Sequence, residues 1–277
     1  MQLVRTEAGT VVEHQGRAFI MPLAWDAIFR APDVEALALQ HWERAHSSGA
    51  ATASWERPLA PVEGQEVWAA GVTYYRSRDA RMEESSSAAG GDFYARVYEA
   101  ERPELFFKST AHRAVGHGGS VRLRADSQWN VPEPELVLAV NSQGRIFGYT
   151  VGNDMSSRDI EGQNPLYLAQ AKVYDGSCAL GPSIVLANAP LPPETTIALS
   201  ITRQDRSQFK GSTTLAQMKR SPVELADYLF RDQSFPSGVL LMTGTGIIPP
   251  SDFTLHPGDQ IEIEIDGVGR LLNTVSQ

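Results

Sequence analysis

The pattern of apolar and polar positions divides this chain, for residues 1–60 read differently from the rest. Near the start, VVEHQGRAFI resembles a short strand pair about Gly16. The next stretch, PDVEALALQHWERAH, carries Val34, Leu37, Leu39 and Trp42 close to helical spacing. Pro32-Asp33 supplies a helix start signal and Ser47-Ser48-Gly49 a stop. These elements predict a small N-terminal α/β unit over residues 1–62, linked onward through Pro58 to Pro61. From Val67 onward strand signals dominate, and in IEIEI apolar and polar residues alternate. VWAAGV, ELFFKST, SVRLRA, ELVLAV, RIFGYTVG, SIVLA, TIALSITR, VLLMTGTG and QIEIEI are short and rich in β-branched or aromatic residues. Helical candidates are fewer, at 76–86, 93–101, 165–173 and 222–231, the last opened by Ser221-Pro222 with Glu224. The pattern predicts an α+β, mostly β catalytic domain over residues 63–277.

Composition narrows the function classes. At 277 residues the chain can bury a full core without disulfides. Lys and Arg number 24 against 33 Asp and Glu, a net charge of −9, which argues against a general nucleic-acid binder. The single cysteine, Cys178, excludes an intramolecular disulfide and any Cys-rich zinc or iron–sulfur site. The opening MQLVRTEAGTVVEHQG shows no secretory signal, and no apolar run of about 18 residues suggests a membrane span. A cytoplasmic protein is expected.

The densest chemical signal is Trp129-Asn130-Val131-Pro132-Glu133-Pro134-Glu135-Leu136. In an extended chain Glu133 and Glu135 point to one face, where two carboxylates need a proton or a cation between them. Pro134 cannot donate to a ladder, which places the stretch at a sheet edge or a strand's mouth. The bland alternative is a solvated Glu-Pro-Glu turn. In GYTVGND, a strand is expected to end in a Gly-Asn-Asp turn. Asp154 alone reads as a turn or cap residue, but with the two glutamates it could complete an all-oxygen site for Mg²⁺, Mn²⁺ or Ca²⁺. Lys172, in AQAKVYDGS, could stabilise an enolate or transfer protons there, or be a surface lysine. Lys108 follows Leu-Phe-Phe in a strand and should enter a cavity or pair with an acid. Thr243-Gly244-Thr245-Gly246 closes an apolar strand and could hold an anion on backbone N–H groups, or be a plain turn. His112 and His117 flank RAVG beside a Gly-rich loop and could line a site. Cys178 reads as a packing residue.

Glu133-x-Glu135, GYTVGNDMSSRD, the AK at Lys172, LGP at 180–182 and TGTG occur in an order that resembles the fumarylacetoacetate hydrolase superfamily, from about residue 66 to 272. The resemblance implies a mixed β-roll catalytic domain, a homodimer or dimer of dimers, and a divalent metal, Mg²⁺ with Mn²⁺ possible as a substitute, on Glu133, Glu135 and Asp154. It also implies that Lys172 and Thr245, with Gly244 beside it, line the site of a small 2-keto acid. Family hydrolases carry Gly-x-Asn-Tyr-x-x-His-x-x-Glu, whose His and Glu activate water. Here Ser77 stands in the place of the His and Ala80 in that of the Glu, and neither takes a proton near pH 7.

The segments RPELFFKSTAHRAVGHGGSVRLRADSQWNVPEPEL and RDIEGQNPLYLAQAKVYDGSCALGP are similar to the 2-keto-3-deoxy-D-arabinonate dehydratase branch of that superfamily. The similarity implies a lyase of pentose catabolism that forms an enolate at C3 and expels the C4 hydroxyl, giving 2,5-dioxopentanoate. In that scheme Lys172 handles the enolate, Glu83 or Glu84 is the acid or base, and Lys108 and Arg78 bind substrate. Two alternatives remain open: a metal-dependent C–C hydrolase or decarboxylase of an acylpyruvate or other 2,4-diketo acid, and a catalytically silent binder on an enzyme fold.

Overall fold

The strand pair about Gly16 is joined by a third strand in a meander of β1 (Gln2–Thr6), β2 (Gly9–His14) and β3 (Arg17–Met21) in a computed structural model that describes residues 1–75 and 96–277. The β2–β3 turn places Gln15 at φ 51° and Gly16 at φ 72°, left-handed geometry that suits a two-residue hairpin. Helix α1 (Trp25–Phe29) follows, then α2 (Val34–Ser47), whose Asp33 side chain accepts from the Ala36 N–H. Val34, Ala38 and Trp42 form the buried stripe of α2, while Leu37 and Leu39 stay half-buried.

The remaining strands are β4 (Glu66–Gly71), β5 (Glu104–Thr110), β6 (Ala114–Val115), β7 (Ser120–Arg122), β8 (Asn130–Val131), β9 (Pro134–Val140), β10 (Ile146–Asp154) and β11 (Ser156–Ser157). After helices α3 (Arg158–Gln163) and α4 (Leu168–Lys172) come β12 (Cys178–Leu186), β13 (Thr196–Arg203) and β14 (Arg206–Thr214). Helix α5 (Pro222–Leu229), β15 (Val239–Met242), β16 (Gln260–Ile265) and β17 (Gly269–Ser276) complete the described chain.

Ten strands form one mixed sheet in the order β3-β2-β1-β12-β10-β9-β15-β4-β5, with β6 beside β12. The meander therefore extends the main sheet, through antiparallel pairing of β1 with β12. A second sheet, β14-β13-β16-β17-β7, packs on one face. Strand β9 is buried throughout, and its alternation assigns the layers. Leu136, Leu138 and Val140 share one core with Ile197, Leu199 and Ile263 of the second sheet. Val137 and Ala139 face Trp25, Phe29 and Trp42 of the N-terminal helices.

Strands β10 and β5 stand four places apart in the sheet order. Across a flat sheet that separation is about 19 Å. Yet Nζ of Lys108 on β5 lies 2.5 Å from Oδ1 of Asp154 on β10. The sheet is thus rolled strongly enough to bring both strands to one centre, in keeping with the β-roll expectation.

Two local readings change. Gly152-Asn153-Asp154 is the last part of β10 rather than a turn, because it pairs with Pro134–Glu135 of β9 on one side and with Cys178–Leu180 of β12 on the other. The 165–173 helix divides into a 3-10 turn at Pro165–Tyr167 and the short α4, after Asn164 caps the Leu166 N–H. Of the candidate helices nearer the start, 76–86 lies outside the described residues, and 96–99 is the helical part described of 93–101. Leu138→Ala, at a fully buried site between two layers, should cost about 2–5 kcal/mol of stability, read from urea unfolding.

Candidate metal centre

The register of β9 against its neighbours assembles the acids. Pro134 opens β9 where a missing N–H is tolerated, so Glu133 sits at the mouth of a central strand rather than at a sheet edge. The Asp154 N–H donates to the Glu133 carbonyl at 2.9 Å, which sets Asp154 beside Glu133, and Gly152 pairs with Glu135. On the other side, β15 ends at Met242 and the chain turns through Gly244 at φ 89°. Its N–H donates to Glu135 Oε2 at 2.5 Å. A Cβ at Gly244 would meet the Thr73 hydroxyl and the Ala70 carbonyl, so this donor position requires glycine.

One carboxylate oxygen from each of Glu133, Glu135 and Asp154 lies within 4.8 Å of the others, and all three residues are buried. Opposite ligands of Mg²⁺ stand about 4.2 Å apart, so small side-chain adjustments would suffice for a hard divalent ion. The all-oxygen donor set suits Mg²⁺ or Mn²⁺. The solvated-turn reading of Glu-Pro-Glu does not hold, since Glu133 is 4% exposed and Glu135 1%.

Three buried cations accompany the acids. Lys172 Nζ donates to Glu133 Oε2 at 2.7 Å, Asp154 Oδ2 at 3.0 Å and Ser156 Oγ at 2.5 Å. Arg158 Nη2 lies 2.7 Å from Glu133 Oε1. Lys108 Nζ touches Asp154 Oδ1 and donates to the carbonyls of Met155 and Lys172. Glu135 makes no ion pair among the described residues.

A narrow polar pocket opens onto this cluster. Its wall includes Glu133, Asp154, Lys172, Gly244 and Thr245, which were singled out from sequence. Lys108 is 0% exposed and is not on that wall; it stands behind Asp154 with its ammonium turned to protein oxygens. Arg78, Glu83 and Glu84 lie outside the described residues, as do Ser77 and Ala80. His112 pairs with the Thr110 hydroxyl and His117 with backbone at Arg270, and neither lines the pocket. Burial pushes the Cys178 thiol up to about 12, consistent with packing.

Sequence reasoning missed Arg158, Glu104 and Glu161 on the pocket wall. Arg158 lay inside the quoted SSRD stretch, one residue after β11, and its charge next to Asp154 was the available signal. Glu104 begins β5, and its carboxylate lies over Gly71 where a Cβ would collide with it. Nothing local marks Glu104 or Glu161, which reach the pocket through the rolled sheet and the α3 turn.

Residues 74–276 match the family model described as fumarylacetoacetate (FAA) hydrolase, C-terminal. The chain belongs to that family. It is 46% identical over 217 residues to the "probable 2-keto-3-deoxyxylonate dehydratase" of Haloferax volcanii, covering 78% of this chain and 74% of that one. It is 43% identical over 219 residues to the 2-dehydro-3-deoxy-D-arabinonate dehydratase of Saccharolobus solfataricus, with the same coverage. Among solved structures, 2-keto-3-deoxy-D-arabinonate dehydratase complexed with magnesium and 2,5-dioxopentanoate matches with a TM-score of 0.82 and 32% identity, over 100% of this chain and 99% of that one.

The carboxyl of Glu135 is held well above the usual carboxylate range by burial first, then by the negative charges of Asp154 and Glu133. A raised folded-state pKa means the folded protein binds more protons than the unfolded chain above the unfolded value. Stability therefore falls as pH rises from that value toward the folded one, and the penalty is complete above it. In chelator-treated protein, Glu135→Gln should raise Tm at pH 8 more than at pH 5, and should abolish the stabilisation by added Mg²⁺, both read by calorimetry.

Proposed function

We propose that this chain is a magnesium-dependent hydro-lyase that removes water from a 2-keto-3-deoxy pentonate and yields 2,5-dioxopentanoate. One observation carries the reading: a buried all-carboxylate centre with Lys172 inside it, on a fold shared end to end with a dehydratase solved with magnesium and that dioxo acid.

Glu133, Glu135 and Asp154 would hold the ion, which when bound supplies a Lewis acid that makes the C3 protons of a chelating 2-keto acid removable. Lys172, donating to two carboxylates and a hydroxyl, is a charged donor on the pocket wall, placed to hold negative charge developing on the C2 oxygen. Gly244 and Thr245 form part of the wall about the substrate. Loss of a C3 proton and of the C4 hydroxyl as water leaves a C3–C4 double bond. A proton shift from C5 to C3 then converts the C5 alcohol, through its enol, to the aldehyde. Among the described residues, Glu104 and Glu161 are the pocket acids outside the metal set, and they join Glu83 and Glu84 as candidates for the proton transfers at C3 and C4.

No step requires an attacking water, in accord with Ser77 and Ala80 at the positions where family hydrolases activate one. A homodimer, a cytoplasmic setting and a place in pentose catabolism belong to the same reading, supported by the family resemblance and the acidic, single-cysteine composition.

The deciding assay strips metal with chelator, restores Mg²⁺ and offers a 2-keto-3-deoxy pentonate beside an acylpyruvate. Metal-dependent semialdehyde without pyruvate is expected, whereas pyruvate from the acylpyruvate would replace the dehydratase reading with a hydrolase. Glu104→Gln should lower kcat by about 10²–10⁴ with KM little changed. Gly71→Ala, which displaces the Glu104 carboxylate, should lower kcat in the same direction while leaving Tm close to that of the parent.

A further inference from the structure

Glu104 stands on the last rung of the β4–β5 ladder, paired with Gly71. A terminal rung frays when no tight turn closes its strands. Here residues 72–103 make the connection, far longer than the roughly two to five residues of a hairpin loop. Residues 218–220, just before α5, supply a hold on both sides. On the β4 side, Tyr74 forms an antiparallel bridge with Met218, and the Lys219 N–H donates to the Thr73 carbonyl at 2.9 Å. On the β5 side, a helical turn at 96–99 ends in carbonyls that need partners from outside. The Lys219 ammonium donates to the Tyr98 carbonyl and lies 4.0 Å from the centre of the Tyr98 ring. Arg220 donates to the carbonyls of Ala100, of Glu101 at 2.9 Å and of Val97 at 3.4 Å. Its guanidinium is aimed by Glu224 Oε1 at 2.7 Å and is buried. Neither Lys219 nor Arg220 lines the pocket that Glu104 enters.

We propose that Arg220 is a positioning residue for Glu104, setting the carboxylate in the pocket by gripping the turn that leads into β5. The proposal rests on the reading that Glu104 is one of the acids transferring protons in the dehydration. Only Arg102 and Pro103 separate the anchored Glu101 carbonyl from Glu104. Pro103 fixes its own φ and restricts Arg102, so little slack remains between anchor and acid. A planar guanidinium suits the task, because its rigid fork serves several carbonyls in one geometry. Proton transfer needs heavy atoms about 2.6–3.2 Å apart, and a misplacement of about 1 Å can cost on the order of a hundredfold in rate. Arg220 thus acts on the reaction through Glu104, without touching substrate.

A double-mutant cycle in turnover with Mg²⁺ tests this, using Arg220→Met, Glu104→Gln and the two combined. Arg220→Met should lower kcat by about tenfold to a hundredfold with KM changed by less than about twofold. In the Glu104→Gln background the same change should cost little more, because an acid already removed has no position to lose. Losses that multiply in full in the double variant overturn the proposal, as does a parent-like kcat in Arg220→Met. Arg203→Met breaks the pair with Asp259 away from the pocket, and should lower Tm while leaving kcat unchanged. An equal kcat loss there would make lost stability the whole cause, and overturns the proposal. Should Arg220→Met fail to fold, Glu224→Gln, which leaves the guanidinium unaimed, takes its place in the cycle. Hydrogen exchange of the intact protein reads the hold itself. Amides of residues 97–104 should exchange several-fold faster in Arg220→Met, with those of β9 unchanged, and parent-like exchange at 97–104 overturns the proposal. A fully active Glu104→Gln instead overturns the proton-transfer reading on which it rests, a result distinct from a working Glu104 that Arg220 does not place.

Discussion

Burying three carboxylates within reach of one another is the constraint on which the rest of this centre depends. An unpaired buried carboxylate is costly, and three together repel. The protein meets the cost unevenly. Glu133 and Asp154 each contact two buried cations, sharing Lys172 between them, whereas Glu135 receives a backbone N–H. Burial and the negative charges of Asp154 and Glu133 hold the carboxyl of Glu135 high, a strain that a divalent ion would relieve.

That compensation demands a particular backbone. Lys108 reaches Asp154 only because the large sheet rolls until β5 and β10 meet. Lys172 reaches the acids from the end of α4, which packs on β5. Gly244 supplies its N–H only because the turn after β15 adopts a left-handed conformation. The second sheet and the N-terminal helices clamp the two faces of β9, so the acids stand on a strand held rigid from both sides.

The chemistry follows from what is charged and what is open. Lys172, Glu104 and Glu161 line the pocket, while Lys108 works from behind. In the proposed reaction an ammonium bound to carboxylates would serve as a charge holder, leaving proton traffic to the pocket acids. A centre arranged in this way favours loss of a leaving group from a 2-keto acid over attack by water.

Much of this was legible in the chain. Short runs of strand-forming residues marked β9, β10, β13 and β16, and the Asp33 and Ser221 caps marked α2 and α5, because those signals depend on neighbours a few residues away. Glu133 and Glu135 were legible as a pair since strand geometry puts alternate residues on one face. Asp154 was harder: Gly-Asn-Asp has turn chemistry, and only flanking strands on both sides keep it extended. Lys108 could be read as a charge that must find an acid, but its partner lies 46 residues on and four strands away. Arg158, Glu104 and Glu161 carried no decisive local mark. Local sequence determined which segments are strands and which residues could ligate a hard ion, because backbone propensity and donor chemistry are properties of short stretches. Tertiary structure alone decided which charges meet, because the rolling of the sheet and the burial that makes pairing obligatory are properties of the whole packed chain.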